Sequence, residues 1–86
     1  MNGVHEYDYT IVNAGTPEEY DSVTLNGYEF ARITRKDGWY YPTATLGSKA
    51  GQVILKRGSH IGAFEECMFY ADLERLPEKF DLEVTE

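Results

Sequence analysis

Arg32, Lys36, Trp39 and Tyr41 lie close together in the stretch ARITRKDGWYYPTA, which holds the chain's only tryptophan. Cations interleaved with aromatic rings suit single-stranded nucleic acid, because cations hold phosphates and rings stack on bases at roughly 1–3 kcal/mol per base. Lys56 and Arg57 add positive charge further along. The same side chains also serve a plainer purpose. Arg32 and Lys36 laid over Trp39 and Tyr41 form exposed cross-strand cation–π pairs, worth about 0.5–1 kcal/mol each.

Charge along the chain favours the plainer purpose. The formal charge is -7, and it is unevenly spread. Residues 1–29 hold six acids and no Lys or Arg; residues 30–60 hold six bases and Asp37; residues 61–86 hold eight acids with Arg75 and Lys79. Acidic flanks repel a polyanion and weaken contact with phosphate backbones and membrane surfaces. The densest acids, among them Glu65, Glu66, Asp72 and Glu74, read either as a solvated face that maintains solubility or as a surface for a basic cleft. Tyr70 lies among them as a candidate interface anchor, as do Tyr7, Tyr20 and Tyr28 elsewhere, with core or edge packing the commoner role for such tyrosines.

Catalytic constellations are lacking in the sequence. His5 and His60 are the only histidines, and RGSH is too short to read as catalytic. His60, beside Lys56 and Arg57, reads as a loop histidine, with anion contact as the sharper alternative. GSKAG lacks the spacing and strand-to-helix context of a phosphate-binding loop. Glu18-Glu19 and Glu65-Glu66 are adjacent pairs, which diverge on a helix rather than converge as acid and base. Cys67, the only cysteine, permits neither an internal disulfide nor a cysteine-based zinc cluster within one chain, and its apolar setting suits a buried thiol. The expectation is a protein that is not an enzyme and uses no cofactor or metal.

Eighty-six residues at 42% apolar and 14% aromatic suit one folded domain. The N-terminal stretch lacks a signal-peptide pattern and no apolar run is long enough to cross a bilayer, so a reducing, cytoplasmic setting is expected. Small acidic proteins that block nucleic-acid enzymes, including phage counter-defence and toxin immunity proteins, are similar in size, charge and scarcity of cysteine; no motif of theirs is present.

The positioning elements follow from turn chemistry and periodicity. EYDYTIVN alternates as a half-buried strand, and TPEE supplies Thr16, Pro17 and Glu19 as a capping box for a short turn of helix. Asn26-Gly27 and Asp37-Gly38 both tolerate the positive φ that tight hairpins need, which predicts an antiparallel meander through SVTL, YEFARITR and WYYPTAT. A two-residue loop at Asp37-Gly38 sets Lys36 opposite Trp39, Thr34 opposite Tyr41 and Arg32 opposite Thr43; a three-residue loop would shift that register. Ala31, Ile33, Tyr40, Pro42 and Ala44 then face the core, with Arg35 near the tip on the same side. Pro42 lacks a ladder donor and predicts a sheet edge or a bulge.

QVILK reads as a further strand, AFEECMFYADLERL as a helix stopped by Pro77, and FDLEV as a final strand. Phe64, Cys67, Met68 and Ala71 fall on one helix face, whereas Phe69, Leu73 and Leu76 fall on another; a buried strand through CMFYA is the alternative. The expected fold is α+β: an antiparallel sheet of about five or six strands, partly closed as a barrel in one version, covered by one C-terminal helix.

The leading functional expectation is a non-enzymatic acidic protein-binding domain. It would occlude a basic, nucleic-acid-processing partner through Glu65, Glu66, Asp72, Glu74 and Tyr70. The alternatives are a small nucleic-acid-binding protein using Arg32, Lys36, Trp39, Tyr41, Lys56 and Arg57, and a self-associating structural subunit.

Overall fold

Two dipeptides set the sheet. Asn26 and Gly27 have φ of 53° and 87°, and Asp37 and Gly38 have φ of 53° and 82°, so each pair supplies the two left-handed residues of a turn whose twist matches an antiparallel hairpin. In the computed structural model, which describes residues 5–82, the turns join β2 (Tyr20–Leu25), β3 (Tyr28–Lys36) and β4 (Trp39–Ala44), and β1 (Tyr7–Val12) pairs with β2. The fold is α+β, with a four-stranded antiparallel open sheet in the order β1-β2-β3-β4. Lys36 faces Trp39, Thr34 faces Tyr41 and Arg32 faces Thr43, as the turn predicts.

Side chains knit these turns to their surroundings. The Asn26 carboxamide accepts the Glu6 N–H at 2.8 Å and donates to the Leu82 carbonyl at 2.6 Å. Between β1 and β2 the expected turn of helix is a non-helical turn built from the same residues. Thr16 Oγ1 accepts the Glu18 N–H at 3.2 Å, and the Glu19 carboxylate accepts the Gly15 N–H at 2.8 Å.

β2 and β3 fall out of step at Phe30. Val23 pairs with Ala31 and Thr24 with Glu29, so Phe30 is an extra residue on β3. A bulge breaks strict alternation, and both Phe30 and Ala31 are buried.

The expected fifth strand does not form as a regular strand. Residues 53–57 run beside β4, touching it through the bridges Tyr40–Arg57 and Thr43–Val53. Tyr40 donates to the Arg57 carbonyl at 2.8 Å and Ala44 to the Gln52 carbonyl at 3.0 Å; between them Pro42 has no N–H and only accepts, from Ile54 at 2.7 Å. The interruption follows from that missing donor, and among the described residues the sheet stays open at four strands. The expected final strand is not seen either: Phe80 and Asp81 lie in a turn, and its continuation at 83–84 falls outside the described residues.

The helix starts earlier than the composition suggests. α1 spans His60–Glu74, capped by Ser59, whose Oγ accepts the Gly62 N–H at 3.1 Å. It ends at Arg75, which is left-handed with φ 54° and donates its N–H to the carbonyls of Ala71 and Asp72. Pro77 sits in the first turn of a second short helix, α2 (Leu76–Lys79), and is not itself the stop. A continuous helix would need an N–H at position 77 for the Leu73 carbonyl; proline has none, so the chain breaks two residues upstream. No buried strand forms through 67–71.

α1 lies across one sheet face. Cys67, Tyr70 and Ala71 join Val23, Leu25, Phe30, Ala31, Ile33 and Ala44 in the core, with Leu76 from α2 and Leu82. Among the described residues no helix is long and apolar enough to cross a membrane.

Candidate functional sites

Strand alternation puts Arg32, Thr34, Lys36, Trp39 and Tyr41 on the sheet face away from α1. Cation–π contacts form there, with partners other than the expected ones. The Arg32 guanidinium sits 4.4 Å from the Tyr20 ring and Lys56 Nζ 4.4 Å from the Trp39 ring. Arg32 is further tied to Glu29 at 2.9 Å, a hydrogen bond that raises its pKa above the ordinary value. Arg57 belongs to another place. Its Nη1 meets the Glu66 carboxylate at 2.6 Å beneath the sheet edge.

The acids are also partly engaged. Glu66 is held by Arg57. Glu74 accepts the Ser48 N–H at 2.8 Å, which holds its carboxyl below the usual range, and lies 4.0 Å from Lys79. Asp72 accepts the Tyr7 hydroxyl at 3.2 Å; burial, then the neighbouring Asp72 charge, pushes the Tyr7 phenol up to about 12. Glu65 forms no side-chain hydrogen bond or ion pair with the described residues.

Tyr70 is not on that surface. It is 5% exposed, and its hydroxyl donates to the Leu46 carbonyl at 2.7 Å and accepts the Lys49 N–H at 3.0 Å. Its helical position points to the core, where it supports the 46–51 loop. Gly47, at φ 92°, passes so close that any Cβ there would run into the Tyr70 hydroxyl.

The outward face of α1 is unexpectedly apolar. Ile61, Phe69 and Leu73 are 69%, 55% and 84% exposed. By helical geometry they share an arc of about 120° with Glu65 and Asp72 between them. Phe64, Cys67 and Ala71 turn the other way, into the structure. The two apolar faces legible in the sequence are thus one inside and one outside; Leu76 departs from the outer set because the break at Arg75 redirects it into the core.

A cleft of about 670 Å³ opens on the α1 side of the sheet, beyond the N-terminus of the helix. Its lining includes Ile11, Asp21, Ile33, Arg35, Tyr40 and His60. His60 Nε2 lies 2.5 Å from Asp21 Oδ2, and the imidazole makes edge-to-face contacts with Tyr9 (4.8 Å) and Tyr40 (5.7 Å). Arg35 lies 5.4 Å above the Tyr40 ring. Reading His60 as a loop residue missed this cluster. The available signal was Arg35, whose strand parity places a cation on the core side.

Cys67 is fully buried, and burial first, then the Glu66 charge, pushes its thiol up to about 12, which suits a structural role. Among the described residues no group of three metal-ligating side chains converges. No protein-family model, curated protein or solved structure matches the chain.

Proposed function

We propose that the protein is a non-enzymatic binding domain that occludes a basic, nucleic-acid-processing protein partner, docking through the outer face of α1. The observation that carries this reading is the exposure of Ile61, Phe69 and Leu73 on one helix face. Large apolar side chains grouped on a surface are the usual anchors of an interface, and a few of them supply most of its energy. Glu65 and Asp72 lie between them, so the matching surface sets basic groups among its apolar contacts. Tyr70 has no part in this contact, whereas Glu66 and Glu74 contribute to the field from positions held by Arg57 and Ser48.

The test compares affinity capture by wild type, Phe69→Ser/Leu73→Ser and Glu65→Lys/Asp72→Lys, with the retained proteins identified and their enzymatic activities titrated. A basic nucleic-acid enzyme that is retained and stoichiometrically inhibited by wild type, and lost with both variants, supports the proposal. An anchor pair should contribute at least about 2 kcal/mol, or roughly thirtyfold in affinity. Retention unaffected by either variant overturns it. So does a salt-sensitive dimer in which this face is buried, since that assigns the surface to self-association.

The nucleic-acid reading of the outer sheet face is less favoured. Arg32 is committed to Glu29 and Lys56 to Trp39, so a phosphate would have to displace an internal contact at each.

A further inference from the structure

The cleft beside His60 differs in character from both surfaces discussed above. Its lining includes Ile11 and Ile33, and the Tyr9 and Tyr40 rings, also in the lining, both contact the His60 ring. Such walls accept a flat, apolar ring. At about 670 Å³ the cleft falls within the range of small-molecule sites.

Charge decides what else the occupant carries. Two carboxylates in the wall already have donors: Asp21 is engaged by His60 and Glu19 accepts the Gly15 N–H. A third, Asp37 at the hairpin tip, forms no side-chain hydrogen bond or ion pair with the described residues and lies next to Lys36 in the chain. The cations are differently placed. Arg35 lines the cleft from the face that strand alternation turns toward α1, and Lys36, whose strand position faces the other way, lines it only where the hairpin ends; neither forms an ion pair with any described residue. In an acidic chain where Arg32, Arg57, Arg75 and Lys79 all have carboxylate partners, two cations without one beside this cleft, Arg35 resting 5.4 Å from the Tyr40 ring, suit an external anion. A guanidinium offers a planar fork to phosphate oxygens, and a neighbouring ammonium adds the second charge that a dianion needs.

The geometry points to a binding site for an aromatic phosphomonoester of mononucleotide size, with its ring on the Ile11, Tyr9 and Tyr40 side and its phosphate at Arg35 and Lys36. Asp21 is a positioning residue. It holds the His60 imidazole against the two tyrosine rings and so fixes the wall on which the ring rests.

The test is calorimetric titration of the full chain with adenosine, guanosine, cytidine and uridine monophosphates, the four nucleosides and inorganic phosphate, with amide shifts followed by NMR. At least one monophosphate should bind, with shifts confined to residues around Asp21, Arg35, Tyr40 and His60. Its nucleoside and inorganic phosphate should each bind at least about tenfold more weakly, as should the monophosphate to Arg35→Ala, with partial recovery in Arg35→Lys. Arg35 is exposed on the hairpin, so these variants retain the fold, which circular dichroism verifies. Absence of binding by all four monophosphates at about 10 mM overturns the proposal. So do affinity unchanged in Arg35→Ala, inorganic phosphate binding as well as the monophosphate, and shifts centred on Arg32, Trp39 and Lys56.

Discussion

His60, the first residue of α1, and Asp21, near the start of β2, join the helix to the sheet through a hydrogen bond of 2.5 Å between positions 39 residues apart. The Asp21 side chain is only 14% exposed. A partly sheltered, charge-assisted bond of this kind contributes more than an exposed pair. His60→Ala and Asp21→Ala should each lower unfolding free energy by about 1–3 kcal/mol, and the double variant should lose less than the sum. Strict additivity in a urea-denaturation cycle would show that the two side chains do not act together.

Tyr70 and Gly47 depend on each other. Tyr70→Phe keeps the ring in the core but deletes the bonds to Leu46 and Lys49, at a cost of about 1–3 kcal/mol. Hydrogen exchange should then accelerate for the Lys49 amide while the β2–β3 amides keep their protection. Gly47→Ala combines a left-handed φ with the clash against the Tyr70 hydroxyl and should destabilise more than an alanine at Gly15, where nothing lies nearby. Equal melting temperatures for the two would refute the clash.

Alkaline pH should loosen the contact between β1 and α1. The Tyr7 phenol is raised to about 12 in the folded protein from 10.0, so its protonated form is the one the fold favours. That stability is complete below about pH 10 and is lost as pH rises through about 12. Tyr7→Phe should flatten the pH dependence of stability in that window, measured by chemical denaturation at a series of alkaline pH values. A slope identical to wild type would assign the alkaline transition elsewhere.

The Cys67 thiol should resist alkylation at neutral pH. It is buried and its pKa is raised to about 12, so reactive thiolate is scarce and access requires opening of the core. Labelling by iodoacetamide should be slow in the native protein and rapid in denaturant. Fast native labelling would mean that α1 leaves the sheet far more often than this packing allows.

What could be read from sequence was local. The left-handed demands of Asn26-Gly27 and Asp37-Gly38 are carried by the residues themselves, and the register of β3 on β4 follows from the second pair without further information. The remaining features arise from encounters at a distance. No local pattern announces that His60 will meet Asp21, or that Pro42 will interrupt a fifth strand by withholding a donor from its neighbour. Phe30 looks like an ordinary strand residue until β2 pairs beside it. The break at Arg75 reflects a requirement imposed by Pro77 two positions later. For α1 the sequence shows two apolar faces, but only the placement of the sheet decides which one turns inward.

Asn26 carries a mechanical implication. Its carboxamide holds Glu6 on one side and Leu82 on the other, and its backbone N–H also bonds the Glu6 carbonyl, so a pull applied between those two positions is delivered first to a single residue at the bend of a hairpin. Aspartate or glycine could adopt the same backbone angle, but neither has an amide to donate to Leu82 while accepting from Glu6. Under tension this corner would yield before the hairpins, and β1 would then peel from β2 one rung at a time.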